Sequence, residues 1–324
     1  MKRTILLLAT LLLACGAINA QNLVFHDVRD LVEDSNAPKF AIFTEEYYNS
    51  LEWLDLSQRI DNYSYAKAAE EMSREIVQAK KGIAEAKARG ENVEFMEEIL
   101  RTREEAVAAY KAVGGGLSGQ DLMKEVLSHA IGGRLFYGAD LAFPDYAKVQ
   151  GKPYKEDPDD FNVWGVMDSK GKIIIPFRYQ DIFTNYNRET GDRLPLIFGI
   201  HEIDRWKDKW EVDVYKLEGS LATKQKYAGV YVFEDHVVGV HFLDGGWGLM
   251  DKDCRILTAK KYKKLDWNTN NLTDASQGNF IYGERDGVNY ILSPKDGSEI
   301  GTFKFDPGVS HEVSYYPGKD PRKK

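Results

Sequence analysis

One short pattern occurs twice in this 324-residue chain, and it constrains the fold more than any other feature. Each copy opens with Trp-Gly and has an Asp four residues and a Tyr fifteen residues after the Trp. The first copy comprises Trp164, Gly165, Asp168 and Tyr179, and the second comprises Trp247, Gly248, Asp251 and Tyr262. A repeated unit buries its apolar face against its neighbours. The pattern therefore predicts a repeat array, an architecture that more often supplies a binding or structural surface than a catalytic site.

The spacing between the copies predicts two further, degenerate ones. The two tryptophans are 83 residues apart, which is about two periods of a β-rich repeat. Trp210 opens one candidate, followed by Asp213, Gly219 and Tyr227. Val288 opens the other, followed by Gly297 and Phe305. In both, the late aromatic residue stands seventeen rather than fifteen positions after the start.

Local composition predicts that each unit is a β-hairpin. Residues 163–167 have the apolar character of a short half-buried strand, and residues 168–171 have the Asp and Gly of a turn. Residues 173–175 are all Ile, a β-branched residue that favours strands. Pro176 then limits the strand, because it has no N–H group for the ladder.

The pattern resembles the WG-containing repeat family. The first copy has the complete motif: Trp164, Gly165, Asp168, Gly171, Lys172, Pro176 and Tyr179. In the second, Cys254 replaces the turn glycine and Ala259 replaces the proline. The resemblance implies a β-repeat scaffold over residues 161–308 with no general enzymatic activity, followed by a polar tail, residues 309–324.

The first twenty residues predict an export signal. Lys2 and Arg3 precede a ten-residue apolar core that is too short to span a bilayer. The segment ending at Ala20 fits a cleavage site, which gives a mature chain beginning at Gln21. A lipoprotein box ending at Cys15 is the alternative, with that cysteine carrying a lipid anchor. The predicted location is periplasmic or extracellular in the first case and the outer membrane in the second.

Charge and cysteine content exclude some classes of partner. The formal net charge of −8 argues against nucleic acid, which requires a basic footprint. No segment after the signal is apolar and long enough to cross a membrane. Removal of the signal leaves Cys254 alone, and no Cys-His signature accompanies it. It is interpreted as an inert cysteine.

Residues 64–113 have a helical period. Mostly apolar residues recur in steps of three and four, the spacing of coiled-coil seams: Tyr65, Ala69, Met72, Ile76, Ala79, Ile83 and Ala86, then Met96, Ile99, Arg103, Ala106, Tyr110 and Val113. Gly90 suits a helix C-cap and Asn92 an N-cap, so the pattern predicts an antiparallel helical hairpin. The seams would serve an intramolecular bundle, which the short connection favours, or a dimerisation or partner arm.

The remaining N-terminal segments extend the helical prediction. Residues 43–60 and 119–131 also have helical character, which gives a helical domain over residues 21–146. Residues 147–160 are polar and contain proline, as expected of a linker.

The chain has none of the short catalytic, nucleotide-binding or zinc-binding motifs sought. We therefore expect no metal, no cofactor and no enzymatic activity. Trp206, Trp210 and Trp267 are candidates for a ligand surface, although repeat Trp and Tyr residues usually form the stacked core.

Together these patterns predict an α+β protein with an N-terminal helical region and a C-terminal antiparallel β-hairpin repeat array. The leading functional hypothesis is a non-enzymatic binding or scaffold protein of the bacterial cell envelope, with a protein or glycan partner. The alternative is an envelope carbohydrate-active enzyme or accessory hydrolase whose site has no recognisable motif.

Overall fold

The structure is a computed structural model, and it describes residues 22–32, 38–141, 145–152, 163–185, 193–204, 207, 209–233, 237–268, 280–304 and 312–321. The chain divides into two compact units. The first is Met1–Pro153 with Val166–Ile173, and the second is Tyr154–Gly165 with Ile174–Lys324. The predicted signal, residues 1–20, and Cys15 within it lie outside the described residues.

The first unit combines helices with short strands, and the predicted α+β class is confirmed. Its helices are α1 (Glu45–Tyr48), α2 (Leu51–Ala88), α3 (Glu94–Gly114) and α4 (Gly119–His129). Its strands are β1 (Leu23–Asp27), β2 (Phe40–Thr44), β3 (Gly138–Asp140) and β4 (Tyr146–Lys152), and β1 pairs antiparallel with β2. Two 3₁₀ turns, Arg29–Leu31 and Ile131–Gly133, complete the unit. The predicted helical domain, residues 21–146, thus also contains strands.

Polar side chains and glycines mark the helix ends. Ser50 Oγ accepts a hydrogen bond from the N–H of Trp53 at 3.1 Å and caps α2. Asn92 Oδ1 accepts one from the N–H of Glu94 at 3.0 Å at the start of α3. Gly90 and Gly115 have φ values of 77° and 57° just beyond the ends of α2 and α3, the left-handed conformation that ends helices.

Apolar clusters at the base and along the hairpin hold the helices together. At the base, Trp53, Leu56 and Ile60 of α2 pack with Leu122 and Val126 of α4. Along the hairpin, Ala69 and Ile76 of α2 pack with Val107 of α3, and Ile83 and Ala86 pack with Val93. The partner numbers rise on one helix as they fall on the other, so the two arms are antiparallel.

The second arm packs mainly through a stripe adjacent to the predicted one, although Tyr110 of the predicted seam also contacts Tyr65 of α2. Val93, Val107 and Gly114 are buried and Leu100 is half-buried, which places the contact stripe at seven-residue intervals. The predicted Met96, Ile99 and Val113 are instead 45%, 42% and 49% exposed. Both stripes have coiled-coil spacing, and α3 packs on α2 with the one that contains Leu100 and Val107.

The remaining strands are antiparallel meanders. They are β5 (Val163–Asp168), β6 (Ile173–Tyr179), β7 (Asp181–Phe183), β8 (Leu196–Asp204), β9 (Lys209–Lys216), β10 (Tyr227–Val232), β11 (Val238–Phe242), β12 (Trp247–Met250), β13 (Ile256–Tyr262), β14 (Lys264–Asn268), β15 (Phe280–Arg285), β16 (Val288–Leu292), β17 (Glu299–Lys304) and β18 (Glu312–Tyr315). Three sheets contain them, in the orders β3-β4-β5-β6, β7 to β13 consecutively, and β14 to β18 consecutively.

The chain moves to a new sheet directly after each repeat tyrosine. Tyr179 ends β6, the last strand of the four-stranded sheet, and Tyr262 ends β13, the last strand of the seven-stranded sheet. The Trp-Gly hairpins β5–β6 and β12–β13 therefore each close a sheet. The two tyrosines, like the two tryptophans, are 83 residues apart, and the seven-stranded sheet fills the interval between the tyrosines.

Two segments predicted from their polarity contain strands. Residues 147–152 of the predicted linker, 147–160, belong to β4, in which Ala147 and Val149 are fully buried. Their alternation with Lys148 and Gln150 is the pattern of a half-buried strand. The rest of the linker lies outside the described residues. The predicted tail, residues 309–324, contributes β18. None of the described helices is long and apolar enough to span a membrane.

Candidate functional site

The repeat aspartates organise the hairpin turns. Asp168 Oδ1 accepts hydrogen bonds from the N–H groups of Lys170 and Lys172, both at 2.9 Å. In the second copy, Asp251 Oδ1 accepts from Asp253 at 3.0 Å and Arg255 at 2.8 Å. An Asp that accepts from backbone groups two and four residues on fixes the turn. The aspartates have a structural role.

The residue three positions after each aspartate is left-handed. Gly171 has φ 83°, and Cys254, which replaces glycine in the second copy, has φ 62°. In both turns this residue donates its N–H to the carbonyl oxygen of the aspartate at 3.0 Å. Gly219 and Gly297, the turn glycines of the two degenerate copies, have φ values of 87° and 68°. All four predicted copies therefore contain a turn with one left-handed residue.

The glycine after each tryptophan leaves room for the neighbouring strand. A Cβ atom at Gly165 would lie 2.6 Å from the carbonyl oxygen of Ile175, and one at Gly248 would lie 2.2 Å from that of Thr258. No side chain fits at either distance. The tryptophans beside these glycines are half-buried, whereas Tyr179 and Tyr262 are 0% and 1% exposed.

A buried polar cluster surrounds the first repeat tyrosine. The Tyr179 hydroxyl donates to Asp213 Oδ2 at 2.7 Å and lies 2.5 Å from the Tyr215 hydroxyl. Arg178 Nη2 donates to Asp213 at 3.1 Å. The ring lies against Gly199 of β8, where a Cβ atom would come within 2.7 Å of it. Burial and the bond to Tyr215 raise the pKa of Tyr179 far above its usual value, so the hydroxyl stays protonated as a donor.

The second tyrosine has an equivalent cluster built from different strands. Its hydroxyl donates to Glu299 Oε1 of β17 at 2.8 Å, and its ring lies against Gly283 of β15. Lys261 and Arg285 each donate to Glu299 at 2.8 Å. Burial disfavours the charged carboxylate, but these hydrogen bonds outweigh it and lower the pKa of Glu299 to about 2. Burial and Glu299 raise the pKa of Tyr262.

Comparison with protein families identifies the first hairpin. Residues 164–187 match the family described as the WG containing repeat. The chain carries a WG repeat. Comparison of the chain with curated proteins and with solved structures finds no match. The second WG hairpin has the same turn and tyrosine as the matched one, although it carries Cys254 and Ala259 at motif positions.

One face of the seven-stranded sheet carries an accessible aromatic group beside the second WG hairpin. His241 is directly opposite both Trp247 and Gly229 in the strand registers, so the three residues share this face. The imidazole and indole rings stack with centroids 4.8 Å apart and planes 16° apart. Tyr231, two residues after Gly229, is 50% exposed. We call Gly229, Tyr231, His241 and Trp247 the Trp247 surface.

Of the three predicted ligand-surface tryptophans, the described part of the structure includes the side chain of Trp210 alone. Trp210 is half-buried in β9. Trp206 lies outside the described residues, and Trp267 is described only in its backbone, which pairs with Ile281. Trp247, a repeat-defining residue, is half-buried and packs against the core cluster that contains Leu249 and Tyr262.

Several residues of these clusters escaped the sequence reasoning. In the sequence, Asp213 is only an early residue of a degenerate copy, and Glu299 and His241 are not motif positions of the repeat. One sequence signal was available: a cation, Arg178 or Lys261, directly precedes each repeat tyrosine. The carboxylates belong to strands that are distant from the tyrosines in the sequence and lie beside them only in the folded chain.

The reactive groups of the second unit are shielded. Cys254 is half-buried, and burial raises the pKa of its thiol to about 11, so the thiolate is scarce at neutral pH. Among the residues that the structure describes, no group of three or more His, Cys, Asp or Glu residues has the geometry to hold a metal ion.

Proposed function

We propose that this protein is a non-enzymatic binding or scaffold protein of the bacterial cell envelope. Its WG repeats build a β surface that holds a protein or glycan partner. The observation that carries the proposal is that the motif positions of the repeat differ in their contacts. Its aspartate and tyrosine form internal hydrogen bonds, whereas Trp247 remains partly accessible on a sheet face.

The state of the polar groups supports a non-catalytic role. A nucleophile or general base needs a pKa near the working pH. The raised pKa values of Tyr179, Tyr262 and Cys254 keep these groups protonated instead. Their environments suit stability rather than proton transfer.

The Trp247 surface supports a binding role. The indole lies above a position without a side chain, since a Cβ atom at Gly229 would be 3.9 Å from its Cη2 atom. A partly exposed aromatic ring on a sheet face suits stacking against a sugar ring or a partner's apolar side chain. The exposed Tyr231 adds a hydroxyl that could donate or accept a hydrogen bond.

An exported location completes the proposal. It rests on the charged start, the short apolar core and the junction between Ala20 and Gln21. A lipid anchor at Cys15 would place the same binding surface at the outer membrane.

The proposal is tested with purified protein beginning at Gln21. Wild-type protein and the Trp247→Ala and His241→Ala variants are immobilised and exposed to envelope proteins and to a panel of envelope glycans. We expect one class of partner to bind the wild type and to bind both variants about tenfold or more weakly, as hot-spot aromatics do. Tyr316→Ala is the matched control, because Tyr316 is 39% exposed and lies after β18.

Two results would contradict the proposal. Equal binding by wild type and both variants would remove the Trp247 surface from the binding site. Turnover of a glycan, peptide or ester substrate, abolished by changing one carboxylate or serine, would favour the hydrolase alternative.

A further inference from the structure

One heptad stripe of the helical hairpin is only partly covered within the chain. Met96, Ile99, Ala106, Tyr110 and Val113 follow one another on α3 in steps of three and four, with Arg103 in the middle. Met96, Ile99 and Val113 are 42–49% exposed. Tyr110 of the same stripe packs against Tyr65 of α2, with ring centroids 5.5 Å apart. We call these six residues the outer stripe.

The hairpin has two flanks, and their ion pairs distinguish them. Arg103 pairs with Glu75 at 3.1 Å on the flank that carries the outer stripe. Lys80 pairs with Glu104 at 2.6 Å and Lys87 with Glu97 at 2.5 Å on the opposite flank. The opposite flank is therefore charged along its length, whereas the outer stripe has a single charge.

The α2 half of the same flank is also suited to close approach. The helical period brings Met72, Ala79 and Gly82 to the side of Glu75. A Cβ atom at Gly82 would meet nothing within 4 Å. This side of α2 therefore presents small and apolar groups beside the carboxylates of Glu71 and Glu75, which are four residues apart.

We propose that the outer stripe pairs with the same stripe of a second copy of this chain, so that two hairpins form a four-helix bundle. The spacing favours a helical occupant, because steps of three and four present a seam along a helix axis.

Charge favours a second copy in particular. Arg103 stands near the midpoint between Met96 and Val113. A two-fold axis at this level, perpendicular to the hairpin, brings the Glu75–Arg103 pairs of the two copies together. Two arginines and two glutamates then form a neutral group, while the Met96 end of one copy lies against the Val113 end of the other. The stripe is thus complementary to itself, as a two-fold interface requires.

The dimensions of the flank match a modest dimer. Residues 96–113 of a helix extend about 27 Å, and a hairpin is about 20 Å wide. The flat area is about 500 Å², and side chains above that plane bring the accessible area towards the roughly 600–800 Å² per partner of a specific interface. We therefore expect dissociation in the micromolar range, about 10⁻⁶ M.

Sedimentation velocity on the chain beginning at Gln21 tests this directly, over about 1–100 μM. We expect the wild type to pass from monomer to dimer, and Ile99→Glu to weaken dimerisation about a hundredfold. Val77→Glu is the matched control: Val77 is 69% exposed and stands three residues before Lys80, on the opposite flank. This variant should dimerise like the wild type. Far-UV circular dichroism checks that both variants keep their helices.

A charge exchange tests the two-fold arrangement without an apolar substitution. Arg103→Glu gathers four carboxylates at the proposed axis and should weaken the dimer. Combining it with Glu75→Arg restores a neutral group and should recover most of the affinity. A wild type that stays monomeric throughout, an Ile99→Glu variant that dimerises normally, or an Arg103→Glu variant that the exchange does not rescue would overturn the proposal.

Discussion

Gly171 meets two demands in the first WG turn, and only one of them is conformational. Its φ of 83° is left-handed, which costs a residue with a side chain about 1–2 kcal/mol. A Cβ atom there would also lie 2.5 Å from the backbone nitrogen of Gly132. Cys254 shows that the second WG turn accepts a side chain at the same place. Space, more than φ, therefore makes glycine necessary at position 171.

This distinction predicts different costs for two glycine substitutions. Gly90 has φ 77°, but a Cβ atom there would meet nothing within 4 Å. Gly90→Ala should reduce the free energy of unfolding by about 1 kcal/mol. Gly171→Ala should cost about 3 kcal/mol, because the backbone must also move. Urea unfolding measures both, and equal costs would show that the contact with Gly132 relaxes freely.

The Glu299 cluster predicts a stability that is lost in acid. The pKa of Glu299 falls from 4.5 to about 2 on folding, so the unfolded chain binds the proton more tightly. Its contribution is fully present above about pH 4.5 and disappears as the pH falls through about 2.

Glu299→Gln isolates this effect. The amide cannot ionise, so the unfolding free energy of the variant should change less steeply between about pH 4.5 and pH 2 than that of the wild type. Denaturant unfolding at several pH values measures the slope. Parallel curves for the two proteins would mean that Glu299 does not titrate differently in the folded state.

At the scale of the element, the WG hairpin depends on its aspartate. Asp251→Ala removes two backbone hydrogen bonds and should cost about 1–2 kcal/mol. Asp253→Ala, in the same turn, changes an exposed side chain and should stay within about 0.5 kcal/mol. Thermal unfolding compares the pair. A similar loss for both would assign the effect to the charge of the turn rather than to the hydrogen bonds of Asp251.

The hairpins could be predicted from sequence because their determinants are local. An Asp and a Gly three residues later specify the turn, and alternating apolar residues specify the strands. The tyrosine clusters could not be predicted. Their carboxylates, Asp213 and Glu299, are 34 and 37 residues from their tyrosines and come from non-equivalent strands, so the repeat pattern gave no sign of them.

The helical hairpin shows a second limit of prediction. The seam of α2 was correct at Ala69, Ile76 and Ile83, because only one face of that helix is continuously apolar. Helix α3 has two adjacent stripes with the same step, and a periodicity cannot say which one faces the other arm. Packing on α2 selected Leu100 and Val107 and left Ile99 outside.

At the scale of the whole molecule, processing of the chain is open to direct measurement. We predict that the exported protein begins at Gln21, because the charged start and the apolar core lead to a cleavage site at Ala20. Intact-mass analysis of protein from an envelope fraction measures this terminus. A mass that corresponds to diacylglycerol-modified Cys15 would replace this prediction with the lipoprotein alternative.

The change from one sheet to the next after each repeat tyrosine has a consequence for how such a chain evolves. A tandem duplication of residues 181–263 would add a complete sheet that ends in its own WG hairpin and tyrosine. A duplication of half that length would place a WG strand at a position in the sheet that a different strand now occupies. Duplication of the whole segment 181–263 would, by contrast, keep each WG hairpin at the end of its sheet.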